Sequence, residues 1–158
     1  MAEADVAGAI EDLKSRIGVV SEPGEWYLMT QEAVNAFADA TGDHQWIHVD
    51  PERAKNGPFG GTIAHGFFTL SLVLQLQRGR EEGPRLKIPV KMGVNYGLNR
   101  VRFPSPVPVG KRIRARSKLL SAEEVQPNVI QQVTEISVEV EGQDKPACVA
   151  EMVSRMYV

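Results

Sequence analysis

Three histidines, His44, His48 and His65, all fall within residues 44–65, beside Asp39, Asp43 and Asp50. Titratable side chains gathered in a glycine-flanked segment are where proton-transfer chemistry is usually built. Asp43 and His48 lie five residues apart in the stretch from Gly42 to Pro51, so a bend there aims both at one water molecule. A carboxylate and an imidazole together take a proton from water and return one to carbon near neutral pH. Gly66 opens the next apolar stretch, and the first turn of a helix leaves backbone N–H groups free. Such donors suit an oxyanion, for instance a thioester enolate. The combination fits addition of water across an activated double bond.

Plainer uses exist for the same residues. Asp43 can satisfy backbone donors in a Gly-Asp turn. His48 can be a half-buried, hydrogen-bonded residue, and His65 can be tied to the backbone where a helix begins. The residues alone leave both readings open.

Other chemistries fit less well. His44 and His48 have the four-residue spacing of zinc-binding helices, but Gln45 stands where such a site needs a glutamate base, and no metal is expected. Ser71 sits inside an apolar helix with no Gly-x-Ser-x-Gly elbow. Gly57, Gly60, Gly61 and Gly66 match neither phosphate-binding glycine motif, and more plausibly permit tight turns. Cys148, the single cysteine, has no His or cation beside it and reads as a buried thiol.

The elements that must position these residues follow from periodicity. Val6, Ile10, Leu13 and Ile17 recur at helical spacing, predicting a helix over 4–17 that ends at Gly18. A brief strand over 25–29 precedes Thr30, an N-cap residue whose helix stops near Gly42. A polar loop over 42–50 and a single helical turn from Pro51 follow. The run from Ala64 to Arg80 predicts a helix apolar nearly all round, which other structure must wrap. Strands are expected over 87–95, from Arg112 to Leu119, around Ile136 to Val140, and from Ala147 to Tyr157. The basic stripe Arg112–Lys118 and the acidic stripe Glu135–Glu141 can pair across neighbouring strands. Pro104, Pro106 and Pro108 exclude a central strand there. Helices first and strands later predict an α+β layout, with a curved antiparallel sheet around the apolar helix.

Phe37-Ala-Asp-Ala-Thr-Gly-Asp-His-Gln-Trp-Ile-His-Val-Asp-Pro-Glu-Arg53, then Phe59-Gly-Gly-Thr-Ile-Ala-His-Gly66, resembles the hydratase motif of the MaoC-like dehydratases, the (R)-specific enoyl-CoA hydratases. The resemblance continues through Asn95 to Gly110 and spans 22–158. It implies a single hot-dog fold over 1–158, with 1–21 as N-terminal helix and lead-in. It implies Asp43 and His48 as the catalytic pair, Gly66 as the oxyanion donor, and Ser71, Leu74 and Trp46 at the acyl pocket. Gln45-Trp-Ile47 replaces the commoner Asn-Pro-Leu, a variation similar to the nodulation-protein (NodN-like) branch. The implied reaction is reversible syn hydration of a trans-2-enoyl thioester to the (3R)-3-hydroxyacyl form. The implied substrate is an acyl-CoA or acyl-carrier-protein thioester, with coenzyme A entering as part of the substrate and no other cofactor. Arg100 and Arg102 are candidates for the coenzyme's phosphates, and a homodimer is expected. A hot-dog thioesterase or a non-catalytic acyl-CoA-binding subunit are the alternatives.

The chain carries 18 basic and 20 acidic residues, a net charge of −2, and gives no electrostatic reason to expect nucleic acid or anionic membrane as partner. Its longest apolar run is too short to span a bilayer, and acidic Glu3 and Asp5 stand where a secretory signal carries positive charge. A cytoplasmic location is the expectation.

Overall fold

The computed structural model describes residues 5–78 and 86–158. Helix α1 covers Val6–Lys14, capped by Asp5, whose carboxylate accepts from the Gly8 N–H. A two-residue strand β1, Tyr27–Leu28, leads into α2, Gln31–Thr41. Thr30 caps α2 by accepting from the Ala33 N–H at 3.1 Å, and Gly42 ends it at φ 80°, a left-handed value that glycine reaches without a Cβ penalty. Two single turns follow, α3 at Trp46–Val49 and α4 at Pro51–Ala54, the second capped by the Asp50 carboxylate. The α3 turn stands where a polar loop is predicted.

The long predicted apolar helix is broken up. Helix α5 covers Gly66–Ser71, and a 3-10 turn covers Gln75–Gln77; part of the predicted span, 79–80, lies outside the described residues. Nor is it wrapped all round, since Phe67 is 68% exposed and Leu74 48%. Strands β2 (Met92–Arg102), β3 (Arg112–Gln126), β4 (Val129–Val140) and β5 (Cys148–Tyr157) complete the chain. The first of these runs later than the predicted 87–95, and the next two are longer than predicted.

All pairings are antiparallel, in the order β1-β3-β4-β5-β2. Register shifts interrupt β3 between Leu119 and Ser121, and β2 between Asn95 and Gly97 and between Leu98 and Arg100. Such bulges bend strands and curl a sheet. One face is dry: Ile113, Ala115, Ile136, Val138, Ala150 and Met152 pack with Met29, Val34, Val73 and Leu76. Ile10 and Leu13 of α1 form a second buried cluster with Leu119, Ala122 and Ile130 of the sheet. The opposite face carries the predicted charge ladder. Arg112 forks onto Glu141, Arg114 and Arg116 share Glu139, and Lys118 meets Glu135. Burial alone would raise the Glu139 carboxyl, but the hydrogen bonds from Arg116 and Arg114 outweigh it and hold it below the usual range. No helix among the described residues is long and apolar enough to cross a membrane.

Candidate active site

His48 is placed by the α3 turn and held from two directions. Its backbone carbonyl accepts from Gln31 Nε2 at 2.7 Å, and Gln31 in turn accepts from the Thr62 hydroxyl at 2.6 Å. Its ring lies 2.7 Å, through Nδ1, from the Ile63 carbonyl oxygen. A carbonyl only accepts, so Nδ1 carries the proton and Nε2 is left as the basic nitrogen. The side chain is buried, and burial pushes its pKa below the ordinary 6.5; the Ile63 bond and the Asp43 charge oppose that shift without cancelling it. His48 therefore holds a free lone pair at neutral pH.

Asp43 sits in the loop between α2 and α3, exposed, its carboxylate accepting only a long 3.3 Å bond from the Gln45 N–H. His65, at the start of α5, reaches back through Nε2 to the Asp43 backbone carbonyl at 2.9 Å. Its ring stacks on His48 with centroids 3.9 Å apart. One ligand-capable atom each of Asp43, His48 and His65 falls within 4.8 Å of the others. These are the residues that could approach a cation together, but His48 Nδ1 and His65 Nε2 already serve backbone carbonyls. His44 is not brought to His48; it pairs with Asp39 at 2.9 Å on the surface, and that contact raises its pKa.

Beside His48 lies an open cavity of about 380 Å³. Gly66 and Thr69 from α5 form one side, and Phe103, Pro104 and Val107 from the proline-rich connector form the other. The Gly66 N–H makes no hydrogen bond within the described residues. The Phe103 ring lies directly over Gly66: a Cβ there would sit 2.9 Å from Phe103 Cδ2.

The remaining predicted residues are elsewhere. Ser71 and Leu74 line a separate cavity of about 190 Å³ between α5 and β2, and the Ser71 hydroxyl donates to the Phe67 carbonyl. Trp46 is not among the residues lining either cavity; it lies on Gly57 with the Arg53 guanidinium 4.4 Å from its ring centroid. Arg100 and Arg102 line a third cavity on the charged face with Glu135 and Glu151, adjoining the first through the shared Pro104. Sequence reasoning missed Gln31 and the Ile63 carbonyl, whose parts are tertiary contacts that leave no mark on the sequence.

A curled antiparallel sheet around a short apolar helix, with an imidazole base and a bare N–H at one cavity, is the build of a hot-dog protein suited to acid–base chemistry. Residues 12–141 match the MaoC like domain, and the chain belongs to the MaoC-like dehydratases, a family of hydro-lyases. It is similar to 3-hydroxyacyl-thioester dehydratase Z of Mycobacterium tuberculosis, 54% identical over 149 residues that cover 93% of this chain and 95% of that one. It is also similar to nodulation protein N of Rhizobium leguminosarum bv. viciae, 43% identical over 147 residues, covering 92% and 89%. An (R)-hydratase from A. caviae involved in PHA biosynthesis shares the fold, with a TM-score of 0.65 at 24% identity, covering 85% of this chain and 94% of that one.

Proposed function

We propose that the chain is an (R)-specific enoyl-thioester hydratase/dehydratase, adding water reversibly and syn to a trans-2-enoyl thioester to give the (3R)-3-hydroxyacyl thioester. The observation that carries this reading is the tautomer of His48, whose Nδ1–H is committed to the Ile63 carbonyl while the ring lines a cavity walled by Gly66. In hydration, His48 Nε2 and the Asp43 carboxylate draw a proton from water as its oxygen bonds to C3. The C2–C3 π electrons move onto C2 and the thioester oxygen, which the Gly66 N–H receives. The acid–base pair then returns a proton to C2 on the same face. One O–H bond and the C2–C3 π bond have broken, and one C–O and one C–H bond have formed.

The acyl chain runs along α5 from Gly66 toward the cavity of Ser71 and Leu74. The carrier end, coenzyme A or an acyl carrier protein, leaves past Phe103 and Pro104 toward Arg100 and Arg102. Pro104 lines both cavities on that path, which supports the direction. No resident cofactor or metal has a part in this reaction.

The same reading makes the protein a homodimer. Strand β2 ends the sheet with its outer edge unpaired among the described residues, and Met92, Val94, Tyr96 and Leu98 are all at least 38% exposed. A bare apolar edge strand is a ready surface for a second chain.

The test follows the enoyl-thioester absorbance of crotonyl-CoA with wild type and Asp43→Asn. Wild type should consume it and yield the (3R)-hydroxy product, with the variant slower by roughly 10²- to 10⁴-fold, the span of general acid–base catalysis. Wild-type rates in both Asp43→Asn and His48→Gln, or release of free coenzyme A as the main product, would overturn the reading.

A further inference from the structure

His65 has no task in the reaction above, yet it is 3% exposed and stands at the centre of the site. It occupies the N-cap position of α5 but makes no capping bond with its side chain. Instead Nε2 reaches the carbonyl of Asp43, 22 residues earlier in the chain. One face of its ring meets His48 at 3.9 Å, and Phe37 lies against it at 4.9 Å, itself stacked on Phe68. The remaining nitrogen, Nδ1, is buried with no hydrogen-bond partner. A histidine kept buried with an unpaired nitrogen carries an uncompensated desolvation cost. Such a cost persists where geometry is being held for function.

We propose that His65 is a positioning residue which, as the Nε2–H tautomer, tethers the backbone of Asp43 to the face of His48 and so sets the spacing of the acid–base pair. This rests on the hydratase reading above. The Asp43 carbonyl can only accept, so the bond requires the proton on Nε2 and leaves Nδ1 bare. In the neutral ring, moving the proton to Nδ1 would break the tether and leave that N–H with no acceptor. Asp43 otherwise lies in an exposed loop whose own bond to Gln45 is long. Without His65, no other side chain ties that backbone to the His48 ring among the described residues. Its role is therefore exerted on kcat, through the pair, rather than on substrate affinity.

The test uses the position of the donor. The amide nitrogen of glutamine overlays Nε2 of histidine, and that of asparagine overlays Nδ1. His65→Gln should keep kcat within about 5-fold of wild type, while His65→Asn and His65→Leu should lose roughly 10- to 100-fold, the scale of an ångström of misplacement, with KM little changed. In ¹⁵N-histidine NMR, His65 should show a protonated Nε2 and an unprotonated Nδ1, assigned by loss of its signals in His65→Gln. Equal kcat for the Gln and Asn variants, wild-type kcat in His65→Leu, or a protonated Nδ1 would each overturn the proposal. If His65→Leu does not fold, the Gln–Asn comparison and the NMR tautomer still decide. A wild type inactive on every enoyl thioester would count against the hydratase reading instead, and the tautomer measurement would still judge the tether.

Discussion

Replacing Gly66 separates the two things it offers the site, a bare N–H and room for Phe103. An alanine Cβ would lie 2.9–3.1 Å from three atoms of the Phe103 ring, closer than ordinary van der Waals contact. That ring is 41% exposed and free to shift by a few tenths of an ångström, so Gly66→Ala distorts the cavity wall while keeping the N–H. Gly66→Pro adds the same Cβ and removes the N–H. Proline is tolerated there because Gly66 is the first residue of α5, where the N–H has no helical partner. His65 before it has φ −59° and ψ 137°, the extended conformation that a residue preceding proline needs. Both variants should therefore fold, with melting temperatures within about 5 °C of wild type, the reach of 1–2 kcal/mol in a domain of this size. Phe103 meets the same added Cβ in both, so their ratio reports the loss of the N–H together with the Cδ that replaces it. Loss of one oxyanion donor lowers kcat by about 10²- to 10³-fold, and Gly66→Pro should fall that far below Gly66→Ala in crotonyl-CoA hydration. Equal kcat in two folded variants would remove Gly66 from the reaction.

Three further outcomes follow from the same geometry. Because burial lowers the pKa of His48, the acid limb of kcat/KM should fall below the ordinary imidazole value of 6.5. The unfolded chain takes up that proton near 6.5 and the folded chain resists it, so stability should decline as pH drops through this value and level off below the folded pKa; His48→Gln should flatten that decline in urea melts. Glu139→Gln, which leaves Arg114 and Arg116 without their shared carboxylate, should cost about 0.5–1 kcal/mol after allowance for its partial exposure, read as a fall of about 1–4 °C in melting temperature that shrinks at high salt. Sedimentation should give a dimer for wild type and a folded monomer for Leu98→Glu on β2; a monomeric wild type, or association only with a different chain, would overturn the homodimer.

Local rules made much of the fold legible. Thr30 and Gly42 mark the ends of α2 because cap chemistry needs only a few neighbouring residues. The Arg112–Lys118 and Glu135–Glu141 stripes reveal β3 and β4 because a strand shows one charged face at period two. The α5 region was misjudged for the same reason: apolarity all round Phe67 to Leu76 says that these side chains need cover, not whether the chain itself supplies it. Phe67 and Leu74 are left exposed among the described residues. At the site, Asp43, His48 and Gly66 could be singled out because their types and spacing carry meaning. Gln31 and Ile63 could not, since each acts through a tertiary contact, the Ile63 contribution being a backbone oxygen that any residue provides.

The site divides its labour by depth. His48 is sunk among His65, Ile63 and the cavity wall, where burial keeps it free of a proton and one carbonyl fixes which nitrogen is basic. Asp43 is only a few ångströms away but lies in solvent on a loop. Two groups that exchange a proton with one water work best when their surroundings differ in this way, since identical settings would make them compete for it. The depth difference arises from chain direction: α2 ends at Gly42, Asp43 follows in the exposed loop, and the α3 turn from Trp46 then buries His48 against His65 at the start of α5. The bonds from Gln31 to the His48 backbone, and from His65 to the Asp43 backbone, pin the turn at either end. The tethers between elements, more than the acid and base themselves, are what a sequence motif of the right composition could lack.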